Sequence, residues 1–342
     1  MEKPTDSLRP FLIGRGRAGS AIVKALDLLR RTDPDLRLEE CVLLPREADF
    51  GALPPNAVLC VANPHALHPE TLERAARAGV RYALCEKPLA VSMGGIERLR
   101  RLEGLEVAVF HGYRVQWGIQ ALARRLAAGE LGQVFRIEIR YWQSSAAQRA
   151  LTQQAPATTA PVPAASAPPN WKNDRALAGD HDTVVDLGTH ALDLASFLAG
   201  RLPISLVTEL LHVNAEAPHR DTHAEIRADF GAGLGARLSA SKAVHGAGND
   251  LEVVVLGTKA AATWRFQQPD QLEIGAGRER RILARDTATG SGFTPFHGLG
   301  WIEGYFEIAR RALRQWRLGE RADFPELRGS LDLAERLLAS LD

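Results

Sequence analysis

Short apolar runs alternate with longer stretches of helical spacing through the first third of the chain. Phe11-Leu12-Ile13 leads into Gly14-Arg15-Gly16-Arg17-Ala18-Gly19, after which Ile22, Val23, Leu26, Leu28 and Leu29 recur at roughly the helical period. Further strands are expected over 40–44, 58–62, 82–85 and 107–110. Helices are expected over 69–78, closed by Gly79, and over 93–102. Pro54-Pro55 reads as loop, and the stretch from Arg46 to Ala57 leaves little room for a helix, so this part is shortened. Strand and helix in alternation predict an α/β unit with a doubly wound parallel sheet.

The pattern changes after His111-Gly112-Tyr113-Arg114. A helix over 119–128 ends at Gly129, and Val134, Phe135, Ile137, Ile139 and Tyr141 then alternate in the strand manner. An Ala/Pro/Thr-rich stretch, 155–169 within an insertion of about 146–169, has too little apolar surface to order itself and reads as a mobile loop. The stretch 180–200 reads as one helix, apolar over much of its circumference. Strand-like runs at 225–230, 235–240 and 251–256 are divided by Gly231-Ala232-Gly233 and Gly246-Ala247-Gly248, and predict a mostly antiparallel sheet. Helices over 301–316 and 330–341 close the chain. A length of 342 residues exceeds what one core usually supports. Two domains follow, 1–112 for a dinucleotide and 113–342, an α+β unit for substrate and oligomerisation.

Composition narrows the partners. The 42 basic and 41 acidic residues balance to a net charge of +1, which gives no pull toward nucleic acid or an anionic membrane. No apolar run approaches the roughly 20 residues of a membrane-spanning helix, and the polar start lacks a signal-peptide core. Cys41, Cys60 and Cys85 fall in or beside apolar runs, so buried reduced thiols and a cytoplasmic address are expected.

Candidate chemistry sits at the strand ends. In the glycine turn, Gly14 would allow the tight turn and Gly16 the approach of a pyrophosphate. Gly19 would let the following helix lie against the strand. The second strand runs out at Leu44-Pro45-Arg46 without the carboxylate that takes a ribose hydroxyl, and Glu39 and Glu40 precede it. Arg15, Arg17 and Arg46 would hold a 2′-phosphate, which favours NADP, with NAD as the alternative. The fourth strand delivers Glu86-Lys87-Pro88 to the sheet edge where ligands bind in such folds. Partial desolvation there acts against the charge of Lys87. Asp186, His190 and Asp193 stand four and three apart on the expected helix and share one face. Polar groups on a buried helix are costly unless paired or facing a cavity. A third zinc ligand of comparable spacing is not evident, so no metal is expected.

With Gly14-x-Gly16-x-x-Gly19, Ala62-Asn63-Pro64-His65-x-x-His68, Glu86-Lys87-Pro88 and Asp186-Leu187-Gly188-Thr189-His190-x-x-Asp193 in this order, the chain resembles the Gfo/Idh/MocA family of glucose–fructose oxidoreductases and inositol dehydrogenases. The resemblance implies an N-terminal Rossmann domain and an α+β domain whose sheet builds homodimers or homotetramers. It implies Lys87, Asp186 and His190 as the catalytic set, with Ala62, Asn63, His65, His68 and Glu86 on the nicotinamide side. Pro88, Ala18 of the glycine turn and Arg46 complete the expected cofactor set, and Arg114 and Trp171 join the expected substrate contacts. The activity it implies is hydride transfer to or from a secondary alcohol carbon of a small-molecule sugar, polyol or cyclitol. In that reaction His190 would act as base, Lys87 would stabilise the oxygen, and Asp186 would orient the substrate or the imidazole. The rival readings are a non-catalytic dinucleotide sensor of the same fold and a redox-assisted glycosidase.

Overall fold

The computed structural model describes residues 7–147, 171–213, 220–286 and 296–341. Most of the expected insertion therefore lies outside the described residues. Five parallel strands, β1 (Arg9–Ile13), β2 (Val42–Leu43), β3 (Ala57–Val61), β4 (Tyr82–Cys85) and β5 (Glu106–Val109), form a sheet in the order β2-β1-β3-β4-β5. β3 is buried at every position, as a strand covered on both faces should be. α1 (Arg17–Thr32), α2 (His68–Arg77) and α3 (Met93–Arg100) supply cover, and only a single 3-10 turn, Phe50–Ala52, stands between β2 and β3. The strand order reverses between β1 and β3, so the glycine turn and the Ala62-Asn63 segment flank the switch point where such sheets take ligands.

After α4 (Trp117–Ala127), a second sheet of eight strands runs β13-β12-β11-β10-β6-β9-β8-β7. β6 is Val134–Trp142, β7 Ser205–Leu211, β8 His223–Asp229, β9 Gly235–Ser241 and β10 Asp250–Gly257. β11 is Ala261–Arg265, β12 Gln271–Ala276 and β13 Glu279–Ala284. All pairings are antiparallel except β6 with β9. Ile137, Ile139 and Tyr141 of β6 face a core shared with Leu187, Leu192 and Leu194, while Glu138 and Arg140 face outward.

The 180–200 stretch forms one continuous helix, as expected, entered at Thr183 and ending at Ala199. A π-helical turn, Val184–Gly188, runs into α5 (Thr189–Ala199). Asp221 imposes the entry: its carboxylate accepts from the amides of Asp182 and Val184, both at 2.6 Å, and its carbonyl takes the Thr183 hydroxyl at 3.0 Å. β12 and β13 also escaped the sequence reading: β12 alternates buried Leu272 and Ile274 with outward positions, whereas β13 is exposed along most of its length.

The last helices return to the parallel sheet. α6 (Ile302–Leu318) lays Phe306, Ala309, Leu313 and Trp316 against the core of β1 and α1. α7 (Leu327–Ala339) gives Leu331 and Ala334 to the parallel sheet and Leu333 and Leu337 to the other core. The two sheets are thereby joined at a seam that holds the site. Among the described residues, no helix is long and apolar enough to cross a membrane.

Candidate active site

The glycine turn is shaped by contact on two sides and open on the third. Gly14 has φ +105°, and a Cβ there would overlap the carbonyl of Ala62. A Cβ on Gly19 would overlap the Gly14 carbonyl. Gly16 caps α1 with no side-chain hydrogen bond, and a Cβ there would meet nothing within 4 Å. The helix N-terminus is therefore bare where an anionic pyrophosphate would sit, and the residues present fit that group. Arg15, Arg17 and Arg46 are all exposed, and Ala18 is half-buried. Glu39 is occupied at the far end of β1 by the Ser7 hydroxyl and by Arg9 at 3.3 Å.

The ends of β3 and β4 are tied by His68, which is fully buried. Its Nδ1 lies 2.8 Å from the Pro88 carbonyl and its Nε2 2.9 Å from that of Asn63. This departs from the expectation for His68: both ring nitrogens face loop carbonyls, and the neutral ring donates to one of them, linking the two loops. Burial pushes its pKa down to about 4 against the pull of those carbonyls. Asn63 donates to the Thr71 hydroxyl at 2.9 Å, and its buried Oδ1 has no partner. His65 meets Trp171 edge to face at 4.8 Å. Burial, with His68 beside it, holds the His65 imidazole well below its usual range. Glu86 is buried too: it accepts from the Tyr305 hydroxyl and, at 3.1 Å, from the amide of Lys87. Burial raises its pKa, with Lys87 and Tyr305 opposing. The Lys87-Pro88 peptide is cis.

Lys87 reaches across the seam. Its Nζ donates to Oδ1 of Asp186 at 2.7 Å and to the Asp186 carbonyl at 2.9 Å. The other oxygen of Asp186 takes Lys172 at 2.9 Å and Lys242 at 2.8 Å. Burial alone would raise this carboxyl's pKa, but Lys242, Lys87 and Lys172 together hold it well below the usual carboxylate range. Asp186 was expected to orient the substrate or the imidazole; its carboxylate instead gathers lysines.

Lys87 and His190 line one partly open cavity, together with Phe110, Gly112, Tyr113, Gln116, Trp301 and Tyr305. The Tyr113 ring stands edge-on to His190 at 4.8 Å, fixed by hydroxyl contacts to Tyr141 at 2.7 Å and Asn249 at 2.9 Å. Buried Nδ1 of His190 has no partner. Burial, then Lys87 and His111, push the imidazole well below its usual range, so it is neutral near pH 7. Arg114 grips Asp193 with two nitrogens, one at 3.2 Å, while stacking over Phe197 at 5.2 Å. That engagement corrects the expected substrate contact of Arg114, whose side chain is absent from the cavity lining.

Lys242, Lys172, Tyr305 and Asp221 escaped sequence reasoning. For Lys242 a signal was present: Ala236, Leu238 and Ala240 face inward along β9, and Lys242 continues their parity into the core.

Residues 119–263 match the model of the GFO/IDH/MocA C-terminal domain. A curated relative, the uncharacterized oxidoreductase YfiI of Bacillus subtilis (strain 168), is 23% identical over 220 residues, which are 63% of this chain and 53% of that protein. The chain thus matches about half the length of that relative. Among solved structures, an inositol dehydrogenase homolog complexed with NAD+ from Azotobacter vinelandii superimposes with TM-score 0.75 at 19% identity, covering 98% of this chain and 95% of that one. Levoglucosan dehydrogenase in complex with NADH gives TM-score 0.77 at 19% identity, with 98% and 97% covered.

Proposed function

We propose that this chain, whose residues 119–263 match the GFO/IDH/MocA C-terminal domain, is a nicotinamide-dependent oxidoreductase of the Gfo/Idh/MocA family acting on the secondary alcohol carbon of a sugar, polyol or cyclitol-like substrate. One observation carries the reading: an ammonium from the parallel sheet's edge and a neutral imidazole from α5 line the same cavity. A bound nicotinamide would supply the hydride acceptor or donor, chemistry that no side chain offers. The bare N-terminus of α1 would hold the pyrophosphate. Ala62, Asn63, His65, Glu86 and Lys87 would stand along the nicotinamide side. A ring nitrogen of His190 takes the hydroxyl proton as the alcohol is oxidised, and Nζ of Lys87 donates to the same oxygen as its charge grows. Asp186 holds that Nζ from behind, and Trp171 closes the site beside His65.

Three exposed arginines, with no carboxylate at the end of β2, favour NADP. The NAD+ and NADH complexes of the similar structures make NAD the alternative. Val207, Leu211 and Ile282 lie exposed on the outer face of the eight-stranded sheet and support a homo-oligomer built there, which sedimentation would measure. Titration with NADPH and NADH, then a screen of sugars, cyclitols and keto-compounds for change in reduced-nicotinamide absorbance, tests the function. Turnover of a member of the screen supports it. Cofactor binding with no turnover of any compound would favour the sensor reading, and binding of neither cofactor would overturn both.

A further inference from the structure

We propose that Lys242 is a positioning residue: it stays outside the cavity and fixes the carboxylate from which Lys87 is hung. Its backbone is anchored on both sides, its amide donating to Thr222 at 2.9 Å and its carbonyl accepting from Ala146 at 2.8 Å. From that base the buried side chain runs between two carboxylates of the π-helical segment and its approach. Nζ lies 2.6 Å from Oδ1 of Asp182 and 2.8 Å from Oδ2 of Asp186. Arg220 stands 3.7 Å behind Asp182, so charges alternate along a buried row: Arg220, Asp182, Lys242, Asp186, Lys87.

The arrangement decides which cation governs Asp186. Lys172 also reaches Oδ2, but its side chain is 41% exposed, and solvent screens it. The Lys242 side chain is 5% exposed. Among the described residues, His65, His190, Glu86 and the hydroxyls of Tyr113, Tyr141 and Tyr305 also feel Asp186. Of these only the lysines bond its carboxylate. Without Lys242, Oδ2 would keep only a screened partner, the carboxyl would protonate more readily, and Lys87 would lose the anion that aims its Nζ. Only the last consequence, for catalysis, rests on the dehydrogenase reading.

The link is read in the free protein by carbon NMR of aspartate carboxyls and lysine ε-carbons, so its outcome is independent of any activity. Lys242→Met should move the Asp186 titration to higher pH, and Lys242→Arg should return it. Asp186→Asn reads the same link from the other end and stands if the Met variant fails to fold: the Lys242 titration should fall to lower pH. If a substrate is found, Lys242→Met should lose about tenfold in kcat on the acid side, with KM for cofactor nearly unchanged and the loss shrinking as pH rises. An Asp186 titration that stays put in folded Lys242→Met, or a Lys242 titration indifferent to Asp186→Asn, would overturn the assignment.

Discussion

Asp186 and Asp193 stand seven residues apart in one helical segment, the first partly buried and the second buried, and each meets a long basic side chain from the parallel-sheet end of the chain. Their surroundings differ. Asp193 is enclosed by Arg114, with His111 at 3.8 Å, and both of its oxygens are used within a closed pair. Asp186 sits on the π-helical turn, where backbone geometry departs from the regular helix, and serves three lysines. One of those lysines, Lys87, lines the cavity. A buried pair that satisfies itself holds the sheets together, whereas a carboxylate with a cation at the edge of a cavity holds chemistry in place.

The contrast is broken most strongly at Lys87. Lys87→Ala should lower turnover by about 10³-fold, the scale of losing a donor to a developing oxyanion, with cofactor affinity nearly intact. Unchanged turnover would remove the lysine from the mechanism. The two aspartates should then separate by phenotype. Asp186→Asn, which takes the shared anion from Lys87 and Lys242, should cost about 10²-fold in kcat as well as stability. Asp193→Ala, which strands the Arg114 guanidinium, should cost about 3 kcal/mol of stability with near-normal kcat in the folded fraction. Equal kinetic losses in both would erase the distinction.

The glycine turn offers a milder test. Gly16→Ala has open space for its methyl group and should fold normally, yet weaken dinucleotide binding by about tenfold, roughly 1.4 kcal/mol. Isothermal titration of the variant against the parent measures it.

Stability should also depend on pH. Burial lowers the folded pKa of His65, His68, His111 and His190 below the ordinary 6.5, to about 4 for His68 and His111. Because the unfolded chain takes up these protons first, the stabilisation is full above pH 6.5 and is lost as pH falls toward 4. Urea midpoints at stepped pH should decline across that window, and a flat profile would contradict the burial of neutral imidazoles.

Local patterns were legible from sequence. The glycine turn, the strand carrying Glu86-Lys87-Pro88 and the parallel sheet follow from residues close together in the chain. The candidate set Lys87, Asp186 and His190 was legible because strand ends and helix faces are readable positions. Partners supplied from afar were not. Asp221 caps the helix entry from 37 residues or more downstream, since its contacts run to Asp182, Thr183 and Val184 at separations of 37 to 39. Arg114 looked free for a ligand because nothing local marked Asp193 as its partner, and His68 looked like a cofactor contact because nothing local marked the two carbonyls it bridges.

The central claim is that one reacting oxygen is shared by Lys87 and His190 beside a bound dinucleotide. A crystal structure with the reduced cofactor and a polyol or sugar from the screen tests it directly. The account predicts one ligand oxygen within about 2.6–3.2 Å of both Nζ of Lys87 and a ring nitrogen of His190. A dinucleotide bound elsewhere, or a ligand whose oxygen meets only one of the two groups, would contradict it.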